Sequence, residues 1–311
     1  MNPRMQISLL DDGRLHLNDG PIDLILFADA AESARRAAFG AAISRFSSIL
    51  DELCAELSYL RSPARPAGPL PFGAVARRMV AATRPLSGHR FITPMAAVAG
   101  AVADEVLKQM LEAASLQRAY VNNGGDIAVH IADGAALKVG LVDRPDRPSL
   151  FAAASLKAAH GVCGVATSGW RGRSFSLGIA DAVTVLGVDA ARADAAATLI
   201  ANAVDLPGHS GIFRTPANQC DPQSDLGDRL VTRSVGALSD LDVARALAAG
   251  ETEARRLLAA GAIVAASMRL RGATRVVGRL PGESSGSCPS TDSGSLSIKE
   301  RRGWRLTSAN S

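Results

Sequence analysis

Residues 5–28 alternate apolar and polar positions, and turn residues at Asp12-Gly13 and at Asn18-Asp19-Gly20-Pro21 interrupt the alternation. A period of two places every second side chain on one face of a sheet, so this opening predicts a strand, a hairpin and a second strand through IDLILFA. Over 30–59 the period changes. Ala38, Ala42, Ile43, Phe46, Ile49, Leu50, Leu53 and Leu57 recur at helical spacing, and the Pro-rich stretch 62–69 ends the helix. A further helix is expected over 72–82 and a long one over 94–114, where Met95, Val98, Val102, Val106 and Met110 fall three or four apart. Strands are expected at AYVNNGGDIAVHI, LKVGLVD, HGVCGVATSG and AVTVLGV, a helix over 190–204, a strand at VTRSVGALS, a helix over 240–260 and a short apolar segment near Ile263. From about residue 278 Gly, Ser, Pro and Thr dominate without periodicity. The pattern therefore predicts one α+β domain over 1–277, with mixed or antiparallel sheets packed with helices, and a low-complexity tail over 278–311 that is disordered or merely appended.

Composition changes this picture in one respect. Of 311 residues 47% are hydrophobic but only 4% aromatic, so the core is built mainly from Ala, Val, Leu and Ile. The net charge of +4 comes from scattered Lys and Arg, the densest run being Lys299, Arg301, Arg302 and Arg305 in the tail. Neither that distribution nor the few aromatics suits nucleic acid. Cys54, Cys163, Cys220 and Cys288 are far apart with no CxxC pair, which argues for a reducing compartment, and Cys163 reads as a core residue. No apolar run reaches the roughly 18 residues that span a membrane, and Asp11 and Asp12 break the N-terminal apolar stretch, so a cytoplasmic protein is expected. The small-residue helices are compatible with a homodimer.

Three segments combine special backbone demands with side chains suited to phosphate or metal. In YVNNGGDI, Gly124 and Gly125 follow Asn122 and Asn123 and precede Asp126. Glycines there can present backbone N–H groups to a phosphate, or simply turn a hairpin. GVATSG ends a strand with Thr167, Ser168 and Gly169, whose hydroxyls suit a pyrophosphate or a sugar, or an ordinary strand exit. In ADAAAT, Asp194 and Thr198 stand one helical turn apart, where hard oxygen ligands can hold Mg²⁺; the alternative is a helix-capping Asp and a Thr bonded back to a carbonyl.

In order, FITPMAAVAGAVADEVL, AYVNNGGDIAVHI, GVATSG and AVTVLGVDAARADAAATLIANAV resemble the motif series of the ApbE-like superfamily, whose typical members are Mg²⁺-dependent FAD:protein FMN transferases. The flanks GPIDLILFA and SDLGDRLVTRSVGALS resemble an uncharacterised bacterial and archaeal branch of it. The resemblance implies an ApbE-like, T-fold-like α+β fold. It also implies a metal held by Asp194 and Thr198 with the carbonyls of Ala197 and Ala96, and a flavin-dinucleotide site lined by Asn123, Gly124, Gly125, Asp126, Thr167, Ser168 and Gly169.

Two departures set the chain apart from the transferases it resembles. Their helix carries AKGYxxD where this one reads VAGAVAD, with Ala99 in the place of the lysine. Their double-histidine segment is replaced by WRGRSFSLGIAD, without histidine. Asp181 is then the expected catalytic base, with Arg171 or Arg173 stabilising phosphoryl charge. The expected cofactors are Mg²⁺ and FAD or FMN, in metal-dependent pyrophosphate hydrolysis or FMN transfer. The alternatives are a non-catalytic cofactor-binding module, or a cofactor-biosynthesis enzyme acting on a pterin- or pyridine-type substrate.

Overall fold

The N-terminal alternation becomes three strands, β1 (Gln6–Leu9), β2 (Leu15–Asp19) and β3 (Ile22–Asp29), and β3 buries every second residue, including Leu24 and Leu26. They come from a computed structural model that describes residues 4–142 and 150–279. The helical stretch follows as α1 (Glu32–Ala55), α2 (Leu57–Leu60) and α3 (Ala74–Thr83). A 3₁₀ turn (Pro94–Ala97) then leads into α4 (Val98–Ala113). Next come β4 (Arg118–Asn123), β5 (Asp126–Ile131), β6 (Ala136–Val142), β7 (Leu150–Lys157), β8 (Gly164–Ser168) and β9 (Ala182–Gly187). The chain continues through α5 (Ala190–Ala203), β10 (Ile212–Pro216), α6 (Ala217–Cys220), β11 (Leu230–Val235), α7 (Asp240–Ala259), β12 (Ala265–Leu270) and β13 (Ala273–Gly278).

Among the described residues nine strands form one sheet in the order β1-β2-β3-β4-β5-β8-β9-β12-β13, with antiparallel pairing throughout. Helices cover one face, where Leu24 and Leu26 of β3 share a core with Phe46 and Ile49 of α1 and Met110 of α4. The β6–β7 hairpin packs on the opposite face around Val129, Leu156, Val165 and Leu186. This is an α+β fold with antiparallel sheets.

With few aromatics available, close packing rests on small residues. A Cβ placed on Gly100 of α4 would lie 2.2 Å from the Ala190 carbonyl oxygen, and one on Gly164 of β8 would lie 2.2 Å from that of Asp189. The start of α5 is thus wedged between α4 and β8, at a separation that only glycine permits.

The sequence pattern missed four strands. β7 reads LFAAASLK and β12 reads AASMRL, and both are rich in Ala and Ser, which have little strand preference. β12 is buried at five of six positions, so no alternation marks it. β13 and β10 are short pieces paired only with β12 and β11. Conversely, the expected strand HGVCGVATSG begins only at Gly164, because residues Ala158–His160 form a 3₁₀ turn and Gly161 turns the chain at φ +63°. Cys163 corrects another expectation: it is exposed, outside the core. Desolvation, with the charges of Asp104 and Asp189, raises its thiol above the usual range, which disfavours the thiolate. The tail from residue 280 onward, with Cys288 and its basic run, lies outside the described residues. No helix among the described residues is long and apolar enough to cross a membrane.

Candidate functional site

The two tightly packed helices run in opposite directions and cap each other. Asp104 of α4 accepts hydrogen bonds from the Ala190 and Ala191 amides at the start of α5, at 3.0 and 2.9 Å. Asp194 of α5 accepts one from the Gly100 amide in the first turn of α4, at 3.1 Å. The first N–H groups of a helix lack partners within it, so each carboxylate meets donors that would otherwise be unsatisfied. Burial still pushes Asp104 up to about 6, and the charge of Asp189 adds to it, against the pull of the two amides.

This arrangement gives Asp194 a capping role, but on α4 and not on its own helix. Asp194 does not cap its own helix, since that place belongs to Asp189, whose side chain accepts from the Arg192 amide at 2.7 Å. Thr198 does not bond back to a carbonyl, and its hydroxyl has no hydrogen-bond partner among the described residues. Thr198 lies one turn beyond Asp194 on α5, and the 3₁₀ turn that carries Ala96 packs on the same helix. Ala197 is fully buried in the regular part of α5.

The second carboxylate comes from the β4–β5 hairpin. Gly124 at φ +65° and Gly125 at φ +114° make its two-residue turn, a conformation that side chains with a Cβ resist. Asn122 accepts from the Gly125 amide at 2.8 Å and closes the turn. Asn123, buried, donates to the Ala99 carbonyl at 3.2 Å and so ties the hairpin to the first turn of α4. Asp126 then accepts from the Thr167 amide at 3.2 Å.

Asp126 and Asp194 feel each other's charge. Burial raises Asp194 well above the ordinary carboxylate range and the charge of Asp126 raises it further, while the amides of Gly100 and Ala99 oppose the shift. Burial pushes Asp126 up to about 7, opposed by the Thr167 amide and by the charge of Arg173. Two desolvated carboxylates that repel each other, beside an unpartnered hydroxyl, are an oxygen-rich arrangement that a hard cation would relieve. No cluster of three or more His, Cys, Asp or Glu able to hold a metal exists among the described residues, so hydroxyl, carbonyl or ligand oxygens would have to complete any coordination.

Arg173 stands over the hairpin turn. A Cβ on Gly124 would meet its Nη2 at 1.8 Å, so the missing side chain leaves the place that the guanidinium occupies. Of the remaining expected residues, Thr167 shares its hydroxyl with Thr184 on the neighbouring strand at 3.0 Å. Ser168 ends β8, half-buried, and Gly169 packs where a Cβ would lie 2.6 Å from the Asp181 carbonyl oxygen. Asp181 is committed elsewhere: one carboxylate oxygen accepts from Arg171 Nε at 3.0 Å and the other from the Arg271 amide at 2.7 Å. Arg171 in turn lies over the Trp170 ring, at 4.2 Å. These bonds make Asp181 an anchor for the loop after β8.

Sequence reasoning did not find the pairing of Asp126 with Asp194, nor the cross-capping by Asp104, because the partners are far apart in the chain and no spacing links them. It also missed what borders the Pro94–Ala97 turn. Thr93 donates to Asp225, Arg229 lies 3.4 Å over the Phe91 ring, and the Thr232 amide donates to the Ser176 carbonyl at 2.9 Å. The β10–β11 pair and its loop therefore brace both the segment before α4 and the loop carrying Arg173.

A family model described as AbpE bacteria matches residues 7–276. A UPF0280 protein of Methanothrix thermoacetophila is 42% identical over 114 residues, covering 36% of this chain and 46% of that protein. A UPF0280 protein of Methanopyrus kandleri is 40% identical over 129 residues, covering 41% and 48%. The chain thus spans about half the length of the curated relatives it matches. Among solved structures, the apo form of the Pseudomonas stutzeri flavinyl transferase ApbE matches over 88% of this chain and 94% of its own, with a TM-score of 0.40 and 13% identity.

Proposed function

Because the chain belongs to the AbpE bacteria family, we propose that it binds a flavin nucleotide, FAD or FMN, together with Mg²⁺, at the meeting point of α4, α5 and the β4–β5 hairpin. The observation that carries this reading is the desolvated pair Asp126 and Asp194 beside the free Thr198 hydroxyl. Asp194, Asp126 and Thr198 would hold the metal, with Ala96 as a carbonyl donor. Arg173 and the backbone of Gly124 and Gly125 would face the phosphates. Bound there, Mg²⁺ would neutralise pyrophosphate charge and polarise a phosphoryl oxygen.

Proton competition gives a direct test. An empty site holds a proton on Asp126 below about pH 7, and Mg²⁺ must displace it. The expected result is an Mg²⁺ affinity that climbs with pH across this range, about tenfold per pH unit for each proton that the raised Asp126 and Asp194 carboxyls must give up. Titration calorimetry between pH 5.5 and pH 8.5, both values about the range that brackets that transition, reads it; a flat profile would count against the carboxylate pair as the metal site.

The commitment of both Asp181 oxygens favours binding without turnover over FMN transfer or pyrophosphate hydrolysis. Chromatography of FAD incubated with the protein and Mg²⁺ separates these readings. Unchanged FAD supports the binding module, and release of FMN and AMP supports hydrolysis.

A further inference from the structure

A half-enclosed cavity of about 270 Å³ lies between the Pro-rich loop 62–69 and α3, and none of Ala96, Asp126, Asp194 or Thr198 lines it. Its walls are largely apolar, from Ala64, Pro69, Val80 and Pro94, with Tyr59 beside them. Its charged lining consists of two arginines, Arg65 and Arg84, with no acidic side chain. Neither arginine has a carboxylate partner among the described residues, in a chain where many others are paired.

Arg84 is fixed in place. Its Nη2 donates to the carbonyls of Gly68 and Pro69, at 3.1 and 3.4 Å, which holds the loop over the cavity. Its Nε is buried and has no hydrogen-bond partner among the described residues. That nitrogen presents no surface to the cavity, but the other terminal nitrogen of Arg84 and the whole Arg65 guanidinium also have no hydrogen-bond partner among the described residues, and an oxyanion is the acceptor that a guanidinium fits best in charge and geometry. The loop is itself anchored. The Ala64 amide donates to the Ile92 carbonyl at 2.8 Å and the Tyr59 hydroxyl to the Pro69 carbonyl at 2.8 Å, so the cavity is formed before any ligand arrives.

We infer that this cavity binds a small organic anion, its carboxylate or phosphate on Arg84 and Arg65 and its apolar body against the proline and alanine walls. The site is separate from the proposed metal and flavin site, and it stands whether or not that site binds flavin.

Titration calorimetry of the purified chain with phenyl phosphate and with benzoate tests this and tells the two oxyanions apart. The expected result is saturable one-site binding of at least one probe. Arg84→Gln should weaken it at least about tenfold and Arg65→Gln by several-fold, as charge-assisted bonds are lost. Asp194→Asn should leave it unchanged. Arg84 also holds the loop, so Arg65→Gln, whose side chain has no ion pair among the described residues to lose, supplies the decisive reading if Arg84→Gln disturbs that loop. Failure of both probes to saturate, unaltered affinity in both arginine variants, or loss of binding in Asp194→Asn would each overturn the proposal.

Discussion

Gly100→Ala is expected to destabilise the protein by a net of about 2–3 kcal/mol, lowering Tm by about 5–10 °C. The new methyl would stand 2.2 Å from the Ala190 carbonyl oxygen and 2.7 Å from the Ala191 nitrogen, both backbone atoms that cannot rotate away. Relief requires α4 and α5 to separate, which would also stretch the bonds from Asp104 to the Ala190 and Ala191 amides and from the Gly100 amide to Asp194. Better helix propensity returns only about 1 kcal/mol. Gly40→Ala, on the exposed face of α1 with nothing within 4 Å, is the control of opposite sign and should stabilise by up to about 1 kcal/mol. Thermal unfolding of the two variants checks both signs; an equal response would mean that the close approach of α4 and α5 is not set by Gly100.

The second large effect is expected on metal affinity. Asp194→Asn keeps an acceptor for the Gly100 amide but removes one of the two charges, and should weaken Mg²⁺ binding by about 100-fold or more, since even the loss of an outer-shell partner costs about 10–100-fold. The same change removes repulsion from Asp126, so stability without metal should hold or rise. Thr198→Val should cost less, because a neutral oxygen contributes less than a carboxylate. Mg²⁺ titration of the three proteins ranks them. Equal affinity in all three would exclude α5 from metal binding.

Much of the fold was legible in the chain wherever one face of an element is buried and the other is wet. β3 alternates, and α1 and α4 repeat their apolar residues at helical steps, so their positions were predicted to within a few residues. Legibility failed where both faces are covered, as in β12, or where Ala and Ser replace β-branched residues, as in β7. The site behaved similarly. Asp194 and Thr198 were visible because a single helix sets their spacing, whereas nothing local said that Asp189 would cap α5 and Asp194 would meet the first amides of α4. The glycines were visible as a turn, yet nothing local said that the empty place on Gly124 would be filled by Arg173. Asp181 looked available from its sequence neighbours alone, whereas the bond from the Arg271 amide comes from the turn between β12 and β13, which the pattern did not contain.

The cross-capped helices explain how a core poor in aromatics can carry the buried carboxylates of Asp104 and Asp194. Each negative charge at a helix N-terminus is favoured by the dipole and by unsatisfied amides, which offsets part of the cost of burial. Metal binding would offset more of it.

The most direct measurement is a fluorescence titration of FAD into the purified chain in excess Mg²⁺ and again in EDTA, with Asp194→Asn alongside. Saturable binding that requires Mg²⁺ and disappears in the variant is the predicted result. Equal binding with and without the metal, or no binding in either condition, would contradict the proposed flavin and Mg²⁺ site.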